Sequence, residues 1–147
     1  MTEPQNDPLA DDALLAAFLD TLIPPSDAMP GAGTLGMGSA VRAQVSGNAM
    51  LSAPVSAALA GLREAGLERD PGGFAALDLD AREELLKGIM KQHPALGMMQ
   101  MAVFAGYYQR PETLEALGQP AGAPFPKGNT IEPTDPELLA KLEARKR

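Results

Sequence analysis

The stretch from Phe18 to Gly38, F-L-D-T-L-I-P-P-S-D-A-M-P-G-A-G-T-L-G-M-G, restricts the possible folds more than any other part of the chain. An apolar helix end (Phe18, Leu19, Leu22, Ile23) runs into Pro24-Pro25. Proline disfavours helix at the preceding residue and offers no N–H, so the helix stops at about Ile23. Beyond it lies a loop with Pro30, four glycines and a single charge, Asp27. Long exposed loops are normally polar. One this apolar packs against something, either the chain's own core or another protein.

Helical signals surround this loop. Asp11 or Asp12 caps a helix over about Ala13–Ile23, whose apolar residues keep the 3–4 spacing of one buried face. A second, glycine-weakened helix is predicted over about Leu35–Ala49. Ser52 with Pro54 in the first turn predicts a third, running to about Ala65 with Gly66 as its stop. Asp80 and Glu83 have capping-box spacing before a helix to about Gln92, with Leu85, Leu86, Ile89 and Met90 inward. Pro94 opens a helix to about Gln109 that is apolar nearly all round, which predicts the centre of a bundle. Pro111 starts a short helix ending at Gly118. Gln119–Thr134 has no period and reads as an extended arm, and Asp135-Pro136 starts a last helix.

No run of alternating β-branched residues appears. The expected fold is therefore all-α: a small irregular helical bundle of about five to seven helices with an extended Pro/Gly-rich C-terminal arm. Residues 1–10 form a disordered lead, 11–118 the bundle, and 119–147 the arm and final helix of the same domain. At 147 residues with 45% hydrophobic content, one core is expected. With 4% aromatics and no Trp, it is built from Leu, Ala, Met and Val.

Charge and composition exclude several functions. A net charge of −7 argues against a general nucleic-acid binder. The basic end K-L-E-A-R-K-R suits a helix C-terminus. Without cysteine there are no disulfides, thiol chemistry or Cys-held metals. The acidic, polar N-terminus is no signal peptide, no apolar run is long enough to span a membrane, and the expected location is cytoplasmic.

No constellation for catalysis emerges. His93, the single histidine, sits at a helix junction without ligand-type neighbours and reads as a helix-end residue. Met90, Met98, Met99 and Met101 read first as core filler, second as an adaptable partner surface, and least as metal ligands. The glycine loop follows a helix rather than a strand, which excludes a dinucleotide fingerprint. Asp78, Asp80, Glu83 and Glu84 are explained by capping and solvation. Tyr107 and Tyr108 point about 100° apart on a helix, so one faces the core and the other is free for a partner. Phe125 between Pro124 and Pro126 forms a stiff segment that loses little entropy on docking. A stand-alone binding module with a pocket among Met98, Met101, Phe104 and Tyr107 is the competing reading.

L-I-P-P-S-D-A-M-P-G-A-G-T-L-G, then Y-Y-Q-R-P-E-T-L-E-A-L-G, P-F-P-K-G and I-E-P-T-D-P-E-L-L, in this order and spacing, resemble the gluconate 2-dehydrogenase subunit 3 family. That resemblance implies a non-catalytic helical subunit in a hetero-oligomer with a large flavin-dependent oxidoreductase of the glucose–methanol–choline type. FAD is then expected on the partner and no cofactor or metal on this chain. The candidate partner-interface residues are Pro24, Pro25, Met29, Pro30, Leu35, Met37, Tyr107, Tyr108, Pro111, Phe125 and Pro126. Many relatives carry an export signal, and this chain departs from that pattern. Either the complex stays in the cytoplasm or the signal has been removed.

Overall fold

The computed structural model describes residues 7–121 and 135–145. Its order is α1 (Asp12–Leu22), α2 (Gly38–Ser46), α3 (Ala49–Arg69), a 3₁₀ turn (Phe74–Ala76), α4 (Leu79–Gln92), α5 (Ala95–Tyr108), α6 (Pro111–Ala116) and α7 (Pro136–Ala144). Among the described residues there are seven α-helices and no strand, so the molecule is an all-helical bundle.

The hub is α3. Its 21 residues contact α2, α4, α5 and the 3₁₀ turn. Val55, Ala58, Leu59 and Leu62 along it are fully buried. They meet a core that includes Phe18 and Leu19 of α1 and Leu96, Val103 and Tyr107 of α5.

Several boundaries differ from the sequence expectation, each for a local reason. Gly36 adopts φ +70°, a left-handed conformation that delays α2 to Gly38. α3 starts a turn before Ser52 because Asn48 caps it, its side-chain oxygen accepting from the Met50 amide at 3.0 Å. Pro54 therefore lies inside the helix, and the carbonyl it leaves without a partner belongs to Met50, which is 86% exposed and open to water.

Nor does α3 stop at Gly66. It continues to Arg69, and Gly66 is buried where the backbone of Phe74 crosses α3 too closely for any Cβ. Asp78 rather than Asp80 caps α4, accepting from the Ala81 amide at 2.8 Å, which leaves Asp80 in the first turn, where a negative charge suits the helix dipole. Of the α4 residues expected inward, Leu86 is buried, while Leu85, Ile89 and Met90 are half-buried.

Candidate functional site

The proline/glycine loop is shaped by α1 and α5. Gly31 and Gly33 run so close to α1 that a Cβ at Gly31 would strike the Asp20 carboxylate, and one at Gly33 the Ala16 carbonyl. Asp20 clamps the passing backbone: its Oδ1 accepts from the Gly33 amide at 2.7 Å and the Thr34 amide at 3.1 Å. The Ala32 amide donates to the Ile23 carbonyl at 3.1 Å, returning the loop to the helix it left. Across the molecule, the Tyr107 hydroxyl donates to the Pro30 carbonyl at 2.5 Å. The half of the loop after Pro30 is thus held by the chain itself, while residues 24–28 stand exposed.

This arrangement sorts the residues expected at a partner interface. Pro24, Pro25, Tyr108 and Pro111 are exposed, and Met29, Pro30 and Leu35 are half-buried. Met37, 4% exposed, and Tyr107, 0% exposed, are packing residues of the chain's own core and present no surface. Phe125 and Pro126 lie outside the described residues. Tyr107 and Tyr108 divide as their 100° offset requires, one inward and one outward, with their rings edge to face at 5.2 Å.

α5 differs most from its expected place. The described residues do not surround it. Leu96, Met99, Val103 and Tyr107 turn inward, whereas Met98, Met101, Ala105 and Tyr108 form an outward stripe at 3–4–3 spacing. Met98 is 63% and Met101 69% exposed. A helix that is apolar all round normally lies buried; among the described residues this one has protein on one side only.

Beside the stripe runs a groove of about 160 Å³. α2 supplies Val41, Gln44 and Val45, the start of α3 supplies Leu51 and Val55, and α5 supplies Met98, Met99, Ala102 and Val103. Of the four residues expected to line a pocket, only Met98 does so. Met101 stands outside it, and Tyr107 is sealed in the core.

The face is almost free of charge. α5 carries no ionisable group except its terminal tyrosines, and between Leu35 and Leu62 the one charged residue is Arg42. Arg42 turns away from the groove: its Nε donates to the Leu9 carbonyl at 2.7 Å and its guanidinium pairs with Asp12. The groove valines and Leu51 were missed as surface-lining residues by the sequence reading; the length of this uncharged run was the signal that marked those on α2 and α3.

Elsewhere the polar groups serve structure. The His93 amide closes α4 by donating to the Ile89 carbonyl. Glu83 pairs with Lys87, and Glu84 with Arg69 through two bonds of 3.1 and 3.2 Å. Hydrogen bonding and then the charge of Arg69 hold the Glu84 carboxyl below the ordinary Glu range. Among the described residues no three or more His, Cys, Asp or Glu side chains gather where a metal could sit. No described helix is long and apolar enough to cross a membrane.

Residues 10–127, well over half of the chain, match the protein family described as gluconate 2-dehydrogenase subunit 3. No curated protein and no solved structure gives a significant match.

Proposed function

The chain belongs to the gluconate 2-dehydrogenase subunit 3 family, and on that premise we propose that it is a non-catalytic subunit that binds and stabilises a large FAD-dependent alcohol or sugar oxidoreductase. FAD and the oxidation chemistry belong to the partner in this reading. The observation that carries it is the outward stripe of α5. Interface cores are depleted of charge and enriched in Met and Tyr, and Met98, Met101 and Tyr108 form such a surface on a chain whose charges lie elsewhere. The groove supports the small-molecule alternative poorly, since about 160 Å³ is below the roughly 300–1,000 Å³ of ordinary ligand sites.

The test is co-expression with a candidate large FAD-dependent oxidoreductase from the same source. The two proteins are expected to co-purify, and the large one to lose stability or activity when made alone. Met101→Glu places a charge in the stripe without entering the core, so it should leave the melting temperature of this chain unchanged and break the complex. A large protein equally stable and active alone, with no binding to this chain, would end the subunit reading.

A further inference from the structure

We propose that the groove between α2, the start of α3 and α5 receives one uncharged apolar side chain of the large partner, aromatic by preference, as the anchor of the complex. The inference rests on the subunit reading above and adds the place and chemistry of the contact.

Size speaks first. A protein cavity of about 150 Å³ lined by aliphatic and aromatic side chains accepts a benzene ring, and this groove offers about 160 Å³. Its floor is made of Val41, Val45, Val55, Met99 and Val103, all buried, with half-buried Leu51 at the side. β-branched valines have few rotamers, so this floor keeps its shape when empty. Met98 belongs both to the groove and to the exposed stripe, which makes the two one continuous surface. A flexible thioether at that border adapts to the ring that enters.

Charge speaks for the occupant. The walls carry no ionic group, and the one polar lining side chain is Gln44. An ionic anchor would be desolvated there without a partner, at heavy cost. A second copy of this chain is disfavoured as occupant. Each copy carries −7, and net charge of that size keeps proteins apart.

The experiment uses the full chain with toluene as the probe and then the purified large subunit. Toluene should produce saturable NMR shifts at the methyls of Val41, Val45, Val55 and Val103 and not at core methyls elsewhere. Ala102→Leu fills the groove and should abolish those shifts. It should also weaken binding to the large subunit at least tenfold. Gln44→Glu, at an exposed position on the lip that does not endanger folding, should weaken binding similarly by placing a carboxylate at the mouth. If Met101→Glu weakens the complex while both groove variants bind at wild-type affinity, the anchor is elsewhere and the subunit reading survives. If none of the three variants affects binding, the contact lies elsewhere on the chain and the anchor proposal falls, while the binding itself keeps the subunit reading. If the isolated chain dimerises and Ala102→Leu prevents it, the occupant is a second copy and the proposal is overturned.

Discussion

Gly66 and Gly88 form a matched pair in which local and tertiary physics give opposite answers. Both lie inside helices, Gly66 in α3 and Gly88 in α4. Helix propensity alone predicts that Gly→Ala stabilises either position by about 0.5–1 kcal/mol. At Gly88 a new Cβ meets nothing within 4 Å, so that gain should be realised in full. At Gly66 the Cβ would lie 2.6 Å from the Cα of Phe74 and 2.8 Å from its Cβ. Carbon atoms prefer about 3.5–4.0 Å, so the crossing segment must retreat by about 1 Å. Phe74 is 2% exposed and its turn packs against both α1 and α3, which leaves it little room.

Overpacking of this kind costs about 1–3 kcal/mol. After the propensity gain, Gly66→Ala should lose about 1–2 kcal/mol. At roughly 3 °C per kcal/mol for a chain of this size, thermal melts followed by circular dichroism should show a fall of about 3–6 °C for Gly66→Ala. Gly88→Ala should rise by about 2–3 °C on the same scale. A Gly66→Ala protein that melts at or above wild type would refute the packing argument and restore Gly66 as an ordinary helix glycine.

Three further outcomes are expected. Asp20→Ala strands the Gly33 and Thr34 amides and should cost about 2 kcal/mol in urea unfolding, with faster hydrogen exchange at those two amides; Asp20→Asn, which keeps an acceptor, should cost less. Thr113 is completely buried in α6 with its hydroxyl unpartnered among the described residues, so Thr113→Val should raise stability by about 1 kcal/mol, and a lower melting temperature would show that the hydroxyl is satisfied. The Glu84 carboxyl is held low in the folded state, so its contribution is present above the unfolded Glu value of about 4.3 and is lost as pH falls through the lowered folded value. The small gap in urea midpoint between wild type and Glu84→Gln at pH 7 should shrink as pH falls below the unfolded Glu value, and a gap that stays constant through that acid range would assign it to something other than ionisation.

The helices were legible because each advertises itself through short-range chemistry. The Asp-Pro start of α7, the Pro111 start of α6 and the 3–4 pattern of α1 are all local signals. What depends on contacts between distant segments was not legible. Gly66 carries a stop signal by type, yet it is a crossing point by position. Asp78 and Asp80 are equal candidates for one cap, and spacing alone chose the wrong one. The candidate surface was half legible: the outward Tyr108 follows from helix geometry, but Met37 looked like loop surface and is core. α5 was assigned to the centre because its composition has no polar side. Only the fold reveals that four α5 residues, Met98, Met101, Ala105 and Tyr108, are exposed.

The bond from Tyr107 to the Pro30 carbonyl joins residues 77 positions apart. A ribosome adding about 5–20 residues per second makes the loop roughly 4–15 s before it makes the tyrosine that fastens it. During that interval the nascent chain displays an apolar segment that still lacks its tyrosine fastening. Chaperones, or a large subunit already at hand, have those seconds in which to reach it, so the order in which the two polypeptides are synthesised becomes a variable of assembly.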